Sequence, residues 1–350
     1  MKHLELHILQ SFPVSCLNRD DFGSPKTAIF GGVPRARVSS QCEKRAAREL
    51  MQEASPEYFA GRRTRLIIAP LRDLLMQKHG LSEADAQSGA EALGTAINKL
   101  DTPPERIKTL FFTSATELET LASGYAGEEG TPAARAKKAL KALAKTLPKD
   151  AADLALFGRM VANDHALTLE GAAMFGHALS THRVSNEIDF FSAVDDLKPS
   201  DEDAGAGMTG TLEFNSATYY RFAALNLDML ADSRHLGALT VEERQQVVRM
   251  FVEAVIRAVP SARQNSMNAA TLPSFVLLVV REKGHPVQLV NAFEEPVWSP
   301  RGGLVAASRK KLEEEYASLQ ATWGITASAE FRIPDMPLNE ALEEVVKHVV

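Results

Sequence analysis

The strand-forming segments of this chain lie far apart in the sequence. Alternating or wholly apolar patterns that are typical of strands occur at 3–10, 184–191, 212–227 and 275–280. Between the first two, residues 60 to about 180 have helical periodicity without strand alternation. A sheet that uses all four segments must bring both parts of the chain together, so the helical stretch is predicted to be an insertion.

Two amphipathic helices are predicted to connect these strands. Ser40 and Glu43 have capping-box spacing at the start of the first. The second covers 240–259, starts with Thr240 and Glu243 and ends at Pro260. Its predicted buried stripe is Val247, Val248, Phe251, Val252, Val255 and Ile256. With "VQLVNAF" (287–293) as a last strand, the order is strand, helix, strand, helix, strand, strand. That order is close to the ferredoxin-like βαββαβ pattern of RNA-recognition domains.

The first predicted strand alternates apolar and polar side chains. Its apolar set is predicted to be the one buried face, with His3, Glu5 and His7 on the other. The strand lacks the aromatic side chains with which RNA-recognition domains stack bases. Any RNA contact is therefore expected on other surfaces.

Charge and apolar content exclude several classes of protein. The net charge of −6 argues against a protein that coats duplex DNA. No apolar run approaches the roughly 20 residues that cross a bilayer, and the N-terminus has no secretory pattern. We therefore expect a cytoplasmic protein with no membrane partner, and Cys16 and Cys42 indicate no disulfide framework.

No pattern predicts a metal site or a cofactor. His165, His177 and His182 lie without a Cys pair or an HExxH motif. "GAGMTG" at 205–210 lacks the Lys-Ser or Lys-Thr of a phosphate-binding loop. Neither a catalytic serine motif nor a paired-carboxylate motif of clear spacing is present, and the Ala/Lys segment 133–147 is more typical of a solvated helix face than of a nucleic-acid contact.

One basic segment stands out in this acidic chain. Residues 19–48 carry seven basic and three acidic side chains. Arg45 and Arg48 are three apart on the predicted helix, and Lys44 is four before Arg48, so these side chains share a face. The segment predicts a site for consecutive phosphates, with a merely solvated charged helix as the alternative.

Several stretches resemble the CasC family of CRISPR-associated proteins, the backbone subunit of type I-E Cascade. "SCLNRDD" (15–21) and "AIFGGVPRARVSSQCEKRAAR" (28–48) resemble the N-terminal signature of that family. Further blocks follow in the family's order: "FGRM" at 157–160, "HALSTHRVSNEIDFFSAVDDL" at 177–197, "LEFNSATYYRFAALNLDML" at 212–230, and "VPSARQNSMNAA" and "NAFEEPV" between 259 and 297. The resemblance covers most of the chain and is weaker over 60–150 and the C-terminal tail.

The resemblance implies an α+β fold shaped like a right hand. A ferredoxin-like, RRM-like palm would comprise 1–58, 181–192 and 218–300. A helical fingers insertion would cover 59–180, a β-hairpin thumb 190–220, and a C-terminal helical segment, 301–350, would pack on the palm.

The resemblance also implies a function without catalysis. Copies of such a protein polymerise along one CRISPR RNA as the Cascade backbone, with other Cascade subunits as partners. Each thumb displaces a nucleotide, and the guide remains exposed for pairing with a target DNA strand in antiviral defence. A grip on phosphates and sugars would serve any guide sequence.

Family positions supply the expected RNA contacts. Those on the palm are Lys26, Ser40, Gln41, Lys44, Arg45 and Arg48, with their neighbours Arg35, Arg37 and Ser39. The others are Arg159 and Met160 in the "GRM" loop, Phe190, Phe191 and Ser192 at the base of the thumb, and Arg263 and Gln264 in a second basic loop. Cys42 and the acidic Glu43 at the helix start depart from the expected pattern, as does a long acidic thumb loop.

Two other functions remain open from the sequence. A metal-dependent ribonuclease of the type III backbone kind would use Asp20 or Asp21, although pairing with Arg19 or Arg35 would make these carboxylates structural. A stand-alone RNA-recognition protein would need no neighbouring copy for its hairpin to reach.

Overall fold

The computed structural model describes residues 1–161, 165–193, 208–300 and 303–350. The strands are β1 His3–Ser15, β2 Thr27–Phe30, β3 Val33–Val38, β4 Arg62–Thr64, β5 Phe111–Thr113, β6 Ala173–Phe175, β7 Ala178–Ser180, β8 Glu187–Ala193, β9 Met208–Asn226, β10 Phe275–Arg281 and β11 Ala329–Ile333. The helices are α1 Ser40–Ala54, α2 Ile68–His79, α3 Glu83–Ile97, α4 Ala115–Ala126, α5 Pro132–Leu143, α6 Ala152–Phe157, α7 Leu227–Leu230, α8 Val241–Arg257, α9 Leu304–Trp323 and α10 Leu338–Val346. Short 3-10 turns cover His165–Leu167 and Val290–Phe293.

An antiparallel sheet forms the centre of the molecule. Its strand order is β11-β10-β1-β9-β7-β3-β2, and β6 and β8 also pair with β9. In the inner order β10-β1-β9-β7, α1 comes after β1 and α8 after β9, but the inner strand beside β9 is β7; the predicted strand at 184–191 overlaps β8, which pairs with β9 outside this order. The sheet therefore joins segments more than 250 residues apart, as the Leu4–Val280 pairing shows.

One face of this sheet packs against α1 and α8. Leu4, Leu6 and Ile8 are buried there among side chains of both helices, including Met51 and Phe251. The predicted capping box of α8 is present, because Thr240 and Glu243 exchange hydrogen bonds. The predicted amphipathic helix and its buried stripe are confirmed.

The opposite face of β1 is buried too, so the prediction of a single buried face is wrong. Apolar residues of α9 and the 290–293 turn cover that face. Glu5 lies there with Arg281 Nη1 at 2.8 Å and ring nitrogens of His3 and His7 at 3.2 and 3.4 Å. Burial alone would raise the pKa of Glu5, but hydrogen bonds from the two histidines bring that pKa down to about 2.

The C-terminal region supplies a strand that the sequence did not indicate. "VQLVNAF" is not a strand; its second half is the 3-10 turn Val290–Phe293. The edge strand beside β10 is β11, which follows α9. The segment 301–350, predicted as helical, thus contains a strand between α9 and α10.

The long helical stretch has a hydrophobic core of its own. Leu71, Leu93, Leu121 and Leu140, from α2, α3, α4 and α5, are fully or almost fully buried together. Four strands of three residues each also lie within 60–180, and two of them, β6 and β7, join the central sheet. Three residues are too few to display alternation, which is why the sequence pattern missed them.

The predicted hairpin is confirmed over its described residues. Strand β8 pairs with the first part of β9, from Glu187–Phe214 to Ala193–Met208. The rest of β9 continues into the central sheet beside β1. Residues 194–207, which include the predicted acidic loop and half of "GAGMTG", lie outside the described residues.

Candidate nucleic-acid interface

Helix α1 begins one residue earlier than its sequence pattern predicts. Its N-cap is Ser39, whose hydroxyl accepts a hydrogen bond from the Cys42 amide at 3.3 Å. The expected cap at Ser40 is wrong, and Ser39 is a largely buried capping residue. Ser40 and Gln41 are the first two helical residues, and Gln41 is exposed, so the start of α1 is accessible to an anion.

Glu43 does not place a negative charge at that accessible end. Its carboxylate is buried, and Arg221 Nε lies 3.0 Å from Oε1. Arg221 also donates to the Val255 carbonyl at 2.7 Å, which ties α1 to α8 through the sheet. The acidic residue at the start of α1 is thus a structural partner beneath the helix, and the basic side chains remain on its outer sides.

A cleft of about 670 Å³ lies along one side of α1. Its walls are the 17–23 loop, α1 and the 260–263 segment. Arg19, Arg45 and Arg263 line it together, although they come from three separate segments. The side chain of Arg45 is 73% exposed and pairs with Glu49 at 2.7 Å. The two basic segments predicted from sequence therefore meet at this cleft.

Arg263 adopts an unusual backbone conformation beside the cleft. Its φ is 52°, in the left-handed region that most side chains avoid. Its Nε is buried, and no hydrogen-bond partner for it occurs among the described residues. The adjacent Gln264 lines a further depression with Ser261 and Ser266. Strained, unsatisfied donors of this kind are frequent at binding sites.

Lys44 and Arg48 lie on another side of α1. The Lys44 ammonium is 5.5 Å from the Phe175 ring centroid, and the Arg48 guanidinium is 5.3 Å from that of Phe112. Burial, followed by repulsion from Arg63, lowers the pKa of both side chains. These cations are therefore partly desolvated, a state in which an anion binds more strongly than at an open surface.

Lys26 and Arg37 form a smaller basic group near the first turn of α1. The Lys26 carbonyl accepts from the Arg37 amide at 2.9 Å, so the two residues are neighbours. Arg37 Nη1 is 3.4 Å from His177 Nδ1. Burial, with the charges of Arg37 and Lys26, lowers the pKa of His177 and keeps it neutral beside them.

Arg35 does not have the accessible position that the predicted RNA contact requires. It is fully buried, and its guanidinium donates to the carbonyls of Phe30, Ser180, Phe293 and Glu294. All these acceptors belong to the protein backbone, so Arg35 joins β3 to β7 and the 290–293 turn. It does not lie at the surface beside Arg37, and it pairs with neither Asp20 nor Asp21.

Arg159, also predicted to contact RNA, is likewise not accessible. It is buried, and its Nη1 lies 2.8 and 2.9 Å from the two carboxylate oxygens of Glu117, which is fully buried. It also donates to the Phe112 and Leu167 carbonyls. Its neighbour Met160 is 84% exposed, which is compatible with the predicted contact to a base. Only one of these two predicted residues is therefore accessible.

The hairpin presents its two phenylalanines to opposite sides. Phe190 is 66% exposed. Phe191 pairs across the hairpin with Gly210, and its ring covers that glycine so closely that a Cβ there would lie 2.6 Å away. Ser192 is exposed. Phe190 is thus open to a ligand, while Phe191 stabilises the hairpin itself.

The candidate catalytic carboxylates lie in a structured turn. Asp20 Oδ1 accepts from the amides of Phe22 and Ser24, both at 2.9 Å. Asp21 lines the cleft beside it. In the part of the chain that the structure describes, no three metal-ligating side chains lie together. Across the same residues, no helix has the length and apolar character needed to cross a bilayer.

Asp153 is the acidic group nearest to the Lys44 and Arg48 side of α1. Burial raises its pKa to about 6, although Gln52 Nε2 donates to Oδ2 at 3.1 Å and Arg48 attracts its charge. Since the native pKa exceeds the reference 3.8, the folded protein binds the proton more tightly than the unfolded chain. The stability from Asp153 is complete below about pH 4 and is lost as pH rises through 6.

Asp153→Asn is therefore expected to flatten part of the pH dependence of stability. The shift corresponds to roughly 3 kcal/mol in all, with about 1 kcal/mol of it between pH 5 and 7.5. Urea denaturation at those two pH values measures the difference, with the exposed Asp73→Asn as control. Parallel pH profiles for the wild type and Asp153→Asn would show that this carboxyl is not desolvated.

Sequence reasoning missed Arg62 and Arg63. They follow α1 in "GRRTR", form the start of β4 and line a depression with Arg48 and Gln52. The run of three arginines in four residues was an available signal. It was overlooked because nothing in the sequence places β4 beside α1.

These features define a class: an α+β protein whose antiparallel sheet carries a helix with cationic surfaces on two sides. The chain belongs to the family described as CT1975-like protein, which it matches over residues 4–345.

Two solved structures contain chains whose fold is similar to that of this protein. A chain of a structure titled "CRISPR RNA-guided surveillance complex, pre-nicking" is 27% identical, with a TM-score of 0.81, over 99% of this chain and 100% of that one. A chain from a second structure, "CRISPR RNA-guided surveillance complex", is 24% identical, with a TM-score of 0.64 and the same coverage, and shows likeness of fold alone. No curated protein sequence matches.

Proposed function

We propose that this protein binds CRISPR RNA as the repeated backbone subunit of a surveillance complex. The observation that carries the proposal is the meeting of Arg45 and Arg263 at one cleft, with Lys44 and Arg48 on another side of the same helix. Phosphate and sugar contacts from such a surface would hold any guide sequence. The family and the solved complexes that resemble this chain support the same function.

The finer form of the proposal is the CasC subunit of a type I-E Cascade. The central sheet with α1 and α8 acts as the palm, the region around α2–α5 as the fingers, and the β8–β9 hairpin as the thumb. Phe190 and Met160, both strongly exposed, contact displaced or neighbouring bases. Adjacent copies share the guide, and other Cascade subunits and the target DNA strand are the remaining partners.

The proposed role is not catalytic. The Asp20 carboxylate accepts two backbone hydrogen bonds and shapes the wall of the cleft. The test is cleavage of RNA complementary to the guide with Mg²⁺ or Mn²⁺ present, for the wild type and for Asp20→Ala with Asp21→Ala. Cleavage that these substitutions abolish would establish the ribonuclease alternative.

Assembly on RNA is the decisive experiment for the proposal. Expressed with a CRISPR RNA and the neighbouring Cascade subunits, the protein is expected to purify as a particle with several copies per RNA. Native mass spectrometry and electron microscopy would count them. A single copy per RNA would favour a stand-alone RNA-recognition protein, and a clean monomer without RNA affinity at low salt would contradict both.

A further inference from the structure

A second depression, of about 480 Å³, lies between α1 and β4. Arg48 reaches it from α1, and Arg62 and Arg63 reach it from β4. The lining of the first cleft includes Arg45 but none of these three arginines. Helix α1 therefore separates the first cleft, whose lining has three arginines and three carboxylates, from this depression, which includes side chains to which no role has been assigned.

The arginines of this depression have unused donors. Arg48 Nε and Nη1 are buried, and no partner for them occurs among the described residues. Arg63 is exposed, and its side chain likewise has no hydrogen-bond or ion-pair partner within the described parts of the chain. Both guanidinium groups lie over the buried Phe112 ring, 5.3 and 4.8 Å from its centroid. The aromatic ring holds both guanidinium groups at the depression, where Arg63 is the exposed one.

The charges in the depression are poorly balanced. Arg63 repels both Lys44 and Arg48 strongly enough to contribute to their lowered pKa values. Asp153 and Glu49 attract Arg48 and offset part of this repulsion. Asp153 lies behind Gly61, where a Cβ would be 2.4 Å from its Oδ1. In an acidic protein, several unpaired cations held together are unfavourable unless an anion joins them.

We propose that the depression lined by Arg48, Arg62 and Arg63 is a second phosphate subsite for a phosphodiester group of the bound RNA. Arg63, whose side chain is exposed, donates to its non-bridging oxygens, Arg48 adds its positive charge, and Phe112 holds both guanidinium groups in place. The strand would then be held on two sides of α1, at the cleft and at this subsite. The inference rests on the RNA-binding function proposed above.

The test compares Arg63→Gln with the wild type in binding to one unstructured RNA oligonucleotide over a range of salt concentrations. Loss of one phosphate contact lowers the slope of log affinity against log salt by about 0.7 per bound copy. The matched control is Arg72→Gln, a half-exposed arginine of α2 that pairs with Asp73 and lies outside the depression. Arg63→Lys retains the charge and should restore the slope, but it should restore only part of the affinity because the forked donors are lost.

Thermal unfolding of the RNA-free variant distinguishes binding from structure. Arg63→Gln removes the repulsion that Arg63 exerts on Lys44 and Arg48, so its melting temperature should be unchanged or higher than that of the wild type. A lower melting temperature with an unchanged salt slope would make Arg63 a structural residue and overturn the inference. An equal loss of slope in Arg72→Gln would also overturn it, because the effect would then be one of net charge. If the wild type binds no RNA, the proposed function fails as well.

Discussion

Replacement of Lys44 and Arg48 together by alanine is expected to weaken RNA binding about a hundredfold near physiological salt. Each substitution removes a charge-assisted phosphate contact, and a loss of about 1.4 kcal/mol per contact is roughly tenfold in affinity. Both side chains are partly buried over aromatic rings, so other surface cations cannot take their place. Titration of fluorescent RNA measures the loss, together with a shallower salt dependence.

A second pair of cations with the same spacing provides the control. Lys137 and Lys141 are four apart on α5 and exposed, and their double alanine variant should bind the guide RNA within about twofold of the wild type. The hundredfold loss should be the same for guides of different sequence. A loss that depends on the spacer sequence would contradict phosphate recognition and indicate contacts to base edges.

Arg159→Leu is expected to destabilise the protein by about 3–5 kcal/mol, because it leaves Glu117 as an unpaired charge in the interior. Glu117 is fully buried, and Arg159 supplies hydrogen bonds to both of its carboxylate oxygens. Urea denaturation, followed by circular dichroism, measures the change. The double variant Arg159→Leu with Glu117→Leu should be less destabilised than Arg159→Leu alone, since no charge then remains unpaired.

Arg106→Leu is the control for this prediction. Arg106 pairs with Asp101 at 2.8 Å, but its side chain is 53% exposed, so its loss should change stability by less than about 1 kcal/mol. Near-wild-type stability for Arg159→Leu, accompanied by weaker RNA binding, would contradict this prediction and support a direct contact between Arg159 and RNA.

Local periodicity was sufficient to predict the elements that have strong patterns. The 240–259 helix, its cap at Thr240, the 275–280 strand and the hairpin are all present in the structure. Each combines a repeat of two or 3.6 residues with a start or stop signal. The order of these elements indicated β1, β9 and β10 of the inner sheet but not β7, whose three residues are too few to display alternation.

Contacts between distant segments explain why some predictions from the sequence were wrong. The polar face of β1 is buried because the 290–293 turn and α9, nearly 300 residues later, pack on it, and nothing in residues 3–10 records this. In the sequence, Arg35 and Arg159 look as available for binding as Arg45. In the structure, backbone carbonyls from other segments surround Arg35, and Glu117 pairs with Arg159. A basic side chain in the sequence thus indicates charge, and only its tertiary neighbours decide whether that charge is accessible.

The continuity of β9 fixes the direction of the hairpin. The same strand pairs with β8 near Met208 and with β1 up to Asn226, without an intervening loop. Its seven residues paired with β8 extend about 23 Å, at roughly 3.3 Å per residue. A displacement of the hairpin end of β9 would act along the same strand that pairs with β1 in the middle of the sheet. A load on the hairpin would therefore act on residues of β9 that are buried in the hydrophobic core, such as Ala223 and Leu225.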